Sequence, residues 1–343
     1  MQSLAAIILA WYDQNKRDLP WRNTRDPYLI WLSEIILQQT RVVQGLAYYL
    51  RFSSKYPTPR ALAAAPEDDV LKLWQGLGYY SRARNLHAAA KSMNGGVPST
   101  YEGVRALKGV GDYTAAAICS IAYGLPYAVL DGNVYRVLSR VFAISTPIDS
   151  PAGKKEFSAL AQKLLDVTRP GDYNQAVMDF GATLCTPQAP ACLTCPLALE
   201  CKARQQNRAE DFPVKGQKTK ISSRYFYYIY VDSGRDTFLH KRGAGDVWQN
   251  LYEPVLIETA GAAEDIAASS EYKRLFGRRK PVLAAGPVKH VLSHRVIYAE
   301  LYQVKVPPSF NCPSEYIRVP KNRVKEYAVS RLVQKLLEKT GLI

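Results

Sequence analysis

Two carboxylates of this chain stand in segments whose neighbours suit acid–base chemistry. Glu34 lies in the largely apolar residues 31–40, and three of its four nearest neighbours are large and hydrophobic. Burial among such neighbours raises the pKa of a carboxyl group, as a general acid working near neutral pH requires. Asp131 stands just before a helical pattern. One protonated and one ionised carboxylate together can break a bond to an anomeric carbon through an oxocarbenium-like transition state.

Four cysteines crowd into a short stretch and suggest a metal centre. Cys185, Cys192, Cys195 and Cys201 are separated by six, two and five residues, and prolines bend the chain between them. Four thiolates at this spacing can converge on one site, which suits either zinc or an iron–sulfur cluster, and spacing alone does not choose between them. The structural alternative is that the four thiols bind no metal. Free thiols crowded in this way have little other function in a reducing compartment.

A glycine-rich turn at residues 107–114 predicts a hairpin between two helices. Gly109 and Gly111 flank one apolar residue, Val110, and residues 115–121 continue as a helix. Such a turn directs backbone N–H groups and a helix N-terminus outward, which makes a seat for a phosphate that reads no base sequence. A plain helix–helix turn is the structural alternative.

The charge of the chain favours a polyanionic partner. The formal net charge is +15 over 343 residues, without a long run of Lys or Arg. A folded basic surface therefore predicts nucleic acid as the partner, the alternative being a basic protein that has none. The first ten residues lack a basic start and a cleavage site, and no apolar run is long enough to span a bilayer, so we expect a cytoplasmic protein without a membrane.

An N-glycosidic bond in DNA is a bond to an anomeric carbon, and reaching it requires the base to leave the stack. Such a movement needs a wedge and a pocket. Gln39, Leu77 and Tyr79 are the candidate wedge residues. Each functional interpretation has a structural counterpart: Leu77 as core packing, Glu34 as a hydrogen-bonded structural side chain, and Asp131 as a helix N-cap.

The elements that must position these residues fall into two domains. Residues 1–204 have helical periodicity and predict an all-α domain. Residues 205–222 are polar and predict a linker. Residues 223–343 predict an α+β domain, with strands at 225–231 and 295–304 and a helix at 324–339.

The motifs together resemble a known family. The hairpin, the Asp131 segment and the cysteine loop are similar to the endonuclease III superfamily of base-excision glycosylases. Within it, residues 19–22, 31–42, 76–82 and 130–134 resemble the adenine DNA glycosylase (MutY) family. The resemblance covers nearly all of residues 1–204. It implies a helix-hairpin-helix glycosylase region made of a six-helix barrel and a 4Fe–4S cluster domain.

The resemblance also implies a reaction and the residues for it. The reaction is removal of adenine opposite 8-oxoguanine or guanine in double-stranded DNA, by a monomer, leaving an abasic site. Glu34 would be the acid on adenine N7 and Asp131 the stabiliser or covalent partner of the sugar cation, with Tyr113 and Asn133 assisting. The residues implied to line the adenine pocket are Arg17, Trp21, Arg22 and Gln175. Those implied to hold the gap and the opposite base are Gln39, Thr40, Leu77 and Tyr79.

Two other functions compete with this one. A pyrimidine glycosylase with lyase activity carries a Lys on the helix after the hairpin to form a Schiff base, but that position here is Tyr113, and a phenol cannot do this chemistry. A non-catalytic DNA-binding module would not need both Glu34 and Asp131. The sequence therefore favours a monofunctional glycosylase.

The C-terminal residues 223–343 resemble the Nudix-like recognition domain of the same family. The resemblance rests on the early strands, on residues 248–254 and on residues 290–294. A Nudix hydrolase needs a glutamate-rich helix to hold magnesium, and none follows the first strands, so we expect this domain to bind the opposite base. The family usually has Phe where this chain has Leu292, and Ser293 and His294 supply the hydrogen-bonding groups.

Overall fold

The computed structural model describes residues 3–216 and 221–341, so residues 217–220 of the predicted linker lie outside the described part. The chain forms two compact units: residues 1–63 with 88–218, and residues 64–87 with 219–343. Residues 64–87 are helical in sequence pattern but pack with the C-terminal residues. None of the described helices combines the length and hydropathy needed to span a bilayer. The predicted class, all-α followed by α+β, is confirmed, since the strands of the described residues all lie beyond residue 221.

Most of the described helices lie before residue 206, and a few follow among the C-terminal residues. The α-helices are α1 Leu4–Asn15, α2 Pro27–Leu37, α3 Val42–Lys55, α4 Pro59–Ala64, α5 Glu67–Trp74, α6 Ser81–Ser92, α7 Tyr101–Arg105, α8 Asp112–Tyr123, α9 Gly132–Phe142, α10 Pro151–Leu164, α11 Pro170–Thr183, α12 Lys202–Gln205, α13 Ser270–Phe276 and α14 Arg331–Thr340. Short 3₁₀ turns lie at Pro20–Arg22, Ala209–Asp211, Ile266–Ala268 and Lys321–Glu326.

Local sequence sets the helix starts that matter for the site. Asp26 caps α2 by accepting bonds from the amides of Tyr28 and Leu29, and Pro27 occupies the first helical position, where its missing N–H costs nothing. Asp131 caps α9 in the same way. In the first unit α11 packs against α1, α8 and α9, while α2 packs against α8. The starts of α8 and α9 are thereby brought beside the middle of α2.

The second unit contains two sheets. Their strands are β1 Ser222–Asp232, β2 Asp236–Lys241, β3 Tyr252–Glu253, β4 Val255–Thr259, β5 Val282–Val291, β6 Arg295–Lys305 and β7 Tyr316–Pro320. One sheet is ordered β4–β1–β6–β5 and the other β3–β2–β7. In the first sheet β1 runs parallel to β6 in an unbroken register, while the other neighbours are antiparallel. Two apolar clusters form from alternating faces of β1, one of them covered by α14.

The predicted strands are confirmed: residues 225–231 lie within β1, and residues 295–304 make up all of β6 but its last residue. The predicted helix at 324–339 begins later than expected. Ser330 has extended backbone and caps α14 by accepting a bond from the amide of Val333, so the α-helix starts at Arg331, and a 3₁₀ turn lies before it. A capping serine bonds to an amide in the first turn of the helix while its own backbone stays extended, so it marks the residue after which the helix begins.

Residues 64–87 form hydrogen bonds and an ion pair with the C-terminal residues, through side chains of α5, of α6 and of the loop between these helices. The Tyr80 hydroxyl donates to the carbonyl of Val329 at 3.1 Å. The other bonds are Asn250 Nδ2 to Glu67 Oε1 at 2.5 Å, Lys241 Nζ to Asp68 Oδ1 at 2.6 Å and Arg84 Nη1 to the carbonyl of Gln249 at 2.9 Å. The second unit is therefore assembled from two stretches that are distant in sequence.

Candidate active site

Glu34 is a buried acid in the middle of α2. Its neighbours in the helix, Trp31, Ile35 and Ile36, are almost fully buried, and Glu34 itself is 8% exposed. Burial raises the pKa of Glu34 to about 7, and the charge of Asp131 adds to the rise. A carboxyl group with this pKa is about half protonated at pH 7 and can donate a proton, which is the property expected of a general acid. The predicted burial of Glu34 is confirmed.

Tyr113 meets Glu34 from the first turn of α8. A hydrogen bond joins the Tyr113 hydroxyl and the Glu34 carboxyl, and the sulfur of Met178 lies 3.2 Å from the same hydroxyl. Burial, followed by the charges of Glu34 and Asp131, raises the pKa of Tyr113 well above its ordinary value. The phenol therefore stays neutral and can orient the Glu34 carboxyl without competing for its proton.

Asp131 lies near Glu34 and Tyr113 and has two roles, as the cap of α9 and as a charge that acts on Glu34. Its Oδ1 accepts bonds from the amides of Asn133 at 2.9 Å and Val134 at 2.8 Å, while Oδ2 accepts from the Asn133 side chain at 2.8 Å. Burial raises the pKa of Asp131, and these bonds together with the charge of Arg136 favour its ionised form. The interpretation of Asp131 as a helix N-cap is thus confirmed. The same carboxylate also acts on Glu34 through its charge.

Asn133 is fixed by the close approach of α9 and α11. A Cβ atom on Gly181 would lie 2.7 Å from Cβ of Asn133, so only glycine allows the helices this separation. The buried Arg136 donates to Oδ1 of Asn133 at 2.8 Å and to the carbonyl of Gly181 at 2.6 Å. Sequence reasoning missed Arg136, whose signal is its place one turn after Asp131 on the same helix.

Arg17 and Arg22, predicted for the adenine pocket, share one buried partner that the sequence did not suggest. Asp179 of α11 accepts bonds from Arg17 Nε at 2.9 Å and from Arg22 Nη2 at 2.5 Å, and it pairs with a second nitrogen of each guanidinium. Burial alone would raise the pKa of Asp179, but the bonds from Arg22 and Arg17 outweigh it and hold the pKa below its ordinary value. The structure thus brings both arginines together on one carboxylate.

The other two residues predicted for that pocket are buried in the first unit. Trp21 is 7% exposed and lies edge-on against Tyr49 at a centroid distance of 5.1 Å. Gln175 stands on α11, one turn before Asp179, and is 7% exposed. Their contact with adenine stays a prediction.

The hairpin turn has the backbone that a phosphate seat needs. Gly109 adopts a φ of 80°, in the left-handed region that favours glycine. Arg105 donates to the carbonyl of Val110 at 2.9 Å and pairs with Asp112 at 2.6 Å, and these two bonds stabilise the turn. In the described structure no side chain caps α8 at Gly111. Its first amides are therefore available to an anion.

A hydrogen bond from Gln38 joins the loop after α2 to this hairpin. Sequence reasoning did not identify Gln38. Gln38 Nε2 donates to Oγ1 of Thr114 at 3.2 Å. The candidate wedge Gln39 follows with a φ of 53° and is exposed. Thr40 donates back to the carbonyl of Gln38 at 3.3 Å. A non-glycine residue in the left-handed region is uncommon and often marks a functional position.

The second unit brings Tyr79 and Ser293 together. Tyr79 has a φ of 45° and is 49% exposed, and its hydroxyl lies 3.0 Å from the Ser293 hydroxyl. Ser293 and His294 are exposed in the tight turn between β5 and β6, which a bond from the Leu292 amide to the carbonyl of Arg295 closes at 2.8 Å. Leu292 itself packs against the apolar core. Leu77, by contrast, is buried, as its packing interpretation requires.

The four cysteines line one cavity in the first unit. Arg140, which is 1% exposed, donates to Sγ of Cys185 at 3.3 Å and to the carbonyl of Thr186 at 2.7 Å. No three His, Cys, Asp or Glu side chains within residues 3–216 and 221–341 are grouped closely enough to bind a single metal ion. The buried Arg140 escaped sequence reasoning, although it lies four residues from Arg136 on one face of α9.

Comparison with known proteins agrees with this geometry. Residues 32–166 match the family described as HhH-GPD superfamily base excision DNA repair protein, and residues 225–339 match the NUDIX domain. The adenine DNA glycosylase of Homo sapiens is 46% identical over 222 residues, covering 61% of this chain and 41% of the relative. This chain therefore spans less than half the length of that relative. The adenine DNA glycosylase of Buchnera aphidicola subsp. Baizongia pistaciae (strain Bp) is 33% identical, covering 85% of this chain and 83% of the relative.

Solved structures of DNA glycosylases have a helical fold similar to that of this chain. A thermostable thymine-DNA glycosylase has a TM-score of 0.55 and 31% identity, covering 59% of this chain and 95% of that one. An endonuclease III in a trapped covalent intermediate with DNA has a TM-score of 0.52 and 23% identity, with coverages of 59% and 94%; it supports the fold alone. Since the Buchnera relative is matched over most of its length, the chain belongs to the adenine DNA glycosylase family.

Proposed function

We propose that this protein is a monofunctional DNA glycosylase that removes adenine paired with 8-oxoguanine or guanine and leaves an abasic site. The observation that carries the proposal is the buried Glu34, whose pKa of about 7 leaves it half protonated at pH 7 and which lies beside the ionisable Asp131 and the neutral Tyr113. Two carboxylates kept in different protonation states suit cleavage of a glycosidic bond.

The chemistry follows from these positions. With the adenine turned out of the duplex, Glu34 gives its proton to ring nitrogen N7, and the electron pair of the breaking C1′–N9 bond leaves with the base. Positive charge develops on the sugar, where the Asp131 carboxylate stabilises it. Water then adds at C1′ and gives up a proton, which returns Glu34 to its protonated form. Tyr113 holds the Glu34 carboxyl in place, and Asn133 holds Asp131 through its 2.8 Å bond.

Recognition of DNA is divided between the two units. The hairpin amides at Gly109–Gly111 would seat a phosphate, and Gln39 would enter the gap left by the adenine. In the second unit Tyr79, Ser293 and His294 would read the opposite base, since hydroxyl and imidazole groups can bond to an oxidised guanine edge. One chain supplies all these groups, so we propose a monomer as the active form. In a bacterial cell its DNA substrate lies in the cytoplasm.

The cysteine cavity would hold a 4Fe–4S cluster. Thiols spread around one cavity suit a cluster, which takes a thiolate at each of four irons, and the buried Arg140 N–H beside Cys185 suits a sulfur anion. When bound, the cluster would cross-link the loop and hold its basic flank at Lys202 and Arg204. Purified protein should be brown and contain about four irons per chain. A colourless protein with one zinc would refute this assignment.

The proposed reaction is tested by single-turnover excision. A duplex with adenine opposite 8-oxoguanine is incubated with enzyme and then treated with alkali, which cleaves at abasic sites. The unaltered protein should give product, and Glu34→Gln should give none while still binding the duplex, because an amide cannot donate the proton. Glu156→Gln, at an exposed position of α10, is the matched control. Excision retained by Glu34→Gln would reject the assignment.

A further inference from the structure

Arg82 is a buried cation of the second unit that lies against two aromatic rings. Its guanidinium carbon is 5.1 Å from the ring centroid of Trp74 and 5.6 Å from that of Tyr79. Arg82 is 7% exposed and Trp74 is fully buried, whereas Tyr79 is 49% exposed. Burial lowers the pKa of Arg82 to about 10, so the guanidinium stays charged at neutral pH. One cation thus contacts both a ring of the core and a ring at the surface.

The loop that carries Tyr79 is bonded to the same two side chains. Trp74 ends α5 and Arg82 lies in the first turn of α6. The carbonyl of Gly78 accepts a bond from Trp74 Nε1 at 2.9 Å and another from Arg82 Nη2 at 3.3 Å. This carbonyl belongs to the peptide bond before Tyr79, whose φ of 45° is uncommon for a residue with a side chain. The two bonds therefore fix the direction in which Tyr79 leaves the loop.

Tyr79 is also held at the end of its side chain. Its hydroxyl lies 3.0 Å from the hydroxyl of Ser293, while Arg82 contacts the ring itself. Attraction between a cation and the π electrons restrains a ring without using its hydroxyl group. An exposed ring that is already restrained loses less conformational freedom when it enters a stack of bases.

We propose that Arg82 is a positioning residue for Tyr79: its contact with the ring and its bond to the Gly78 carbonyl hold Tyr79 in the orientation in which it enters the DNA stack beside the opposite base. Arginine suits this role because a planar guanidinium can stack on aromatic rings while its N–H groups donate at the edge. The inference rests on the proposed function, in which Tyr79 contacts the opposite base.

The first test is a double-mutant cycle between Arg82→Met and Tyr79→Leu. Methionine keeps much of the length of the arginine side chain but removes its charge and its donors. Arg82→Met should lower the single-turnover rate of adenine excision opposite 8-oxoguanine by about fivefold, the order expected for one partly desolvated cation–π contact. In the Tyr79→Leu background the same change should alter the rate by less than about twofold, because the ring on which Arg82 acts is gone.

Two results of this cycle would overturn the proposal. An equal loss in both backgrounds would mean that Arg82 supports the fold independently of Tyr79. A rate that Tyr79→Leu itself leaves unchanged, or that Arg82→Met leaves unchanged, would mean that no ring is being positioned for the reaction. If Arg82→Met does not fold, Arg82→Gln, which keeps a side-chain N–H but not the charge, takes its place under the same outcomes.

Arg279→Met is the matched control. Arg279 belongs to the same unit and lies over the ring of Phe310, also 5.6 Å from the centroid, and it donates to the carbonyl of Phe276 at 3.1 Å. Its excision rate should coincide with that of the unaltered protein. A loss equal to that of Arg82→Met would show that any cation–π contact removed from this unit has the same effect, and the specific role of Arg82 would be rejected.

A fluorescence measurement separates this inference from the proposed function. Two duplexes carry 2-aminopurine next to the 8-oxoguanine, one on its 5′ side and one on its 3′ side. Opposite the 8-oxoguanine stands 2′-fluoro-2′-deoxyadenosine, whose fluorine prevents loss of the base by destabilising the sugar cation. Since 2-aminopurine brightens when it is unstacked, saturating unaltered protein should raise the fluorescence of one duplex. Arg82→Met should raise it less, and Tyr79→Leu should give the same small rise with or without Arg82→Met.

The two measurements fail in different ways. If the unaltered protein releases no adenine, the proposed function fails and the fluorescence still decides the inference. If it releases adenine but Arg82→Met leaves the fluorescence unchanged, or lowers it equally in both Tyr79 backgrounds, the inference alone fails.

Discussion

Replacing Glu34 by glutamine should stabilise the protein at alkaline pH while removing its activity. The pKa of Glu34 is raised from 4.5 to about 7 in the folded chain. Folding therefore favours the protonated form, and the stability present below pH 4.5 is lost as the pH rises through 7. At about 1.4 kcal/mol per pKa unit the whole loss is about 3 kcal/mol, of which about 2 kcal/mol falls between pH 5.5 and 8.

The glutamine side chain of the Glu34→Gln variant stays neutral at every pH and can keep the bond to Tyr113. The difference in urea midpoint between this variant and the unaltered protein, followed by tryptophan fluorescence, should thus grow from pH 5.5 to 8 in favour of the variant. Glu156→Gln, at an exposed site, controls for the loss of one negative charge. A difference that stays flat over this range would mean that Glu34 ionises normally in the folded protein, and the general-acid assignment would fall.

Four further outcomes are expected. Asp131→Asn should keep the cap of α9, because Asn also accepts amide bonds, but lose adenine release by about 10²–10³-fold; a variant with full activity would leave Asp131 as a cap. Tyr113→Lys should increase borohydride trapping on DNA, since trapping needs an amine at C1′, and strong trapping by the unaltered chain would restore the lyase alternative. Ser293→Ala with His294→Ala should reduce the ratio of excision rates opposite 8-oxoguanine and guanine by about tenfold, the effect of one or two lost hydrogen bonds; an unchanged ratio would give this turn another role. Cys192→Ser should lower both the iron content and the affinity for DNA, measured by iron assay and by binding at fixed salt, and unchanged iron would place the cluster elsewhere.

Local sequence predicted the parts of the site that depend on near neighbours. The burial of Glu34 follows from the apolar residues within its own helix, and the position of Asp131 follows from the helix that starts after it. Both signals lie within a few residues of the group concerned. The two-domain class was predictable for the same reason, since helical and strand periodicities are local properties.

Contacts between residues far apart in sequence could not be predicted in this way. Asp179 binds Arg22 across 157 positions, and Tyr79 meets Ser293 across 214 positions. Nothing near Asp179 indicates its partners, apart from its place on a helix whose other residues are mostly apolar or small. The packing of residues 64–87 with the C-terminal residues depends likewise on bonds such as Tyr80 to Val329, which no periodicity encodes.

The discontinuous second unit has a consequence for biosynthesis. Residues 64–87 leave the ribosome well before residue 221, and their partners in β2, in β3 and just before α14 come later still. At about 5–20 residues per second, these two helices wait on the order of ten seconds for the chain that covers them. During that interval Trp74 and Leu71, which are fully buried in the finished protein, lack their final surroundings. A nascent chain stalled in the linker would therefore be a substrate for chaperones, and a gene cut there would not yield two independently folding halves.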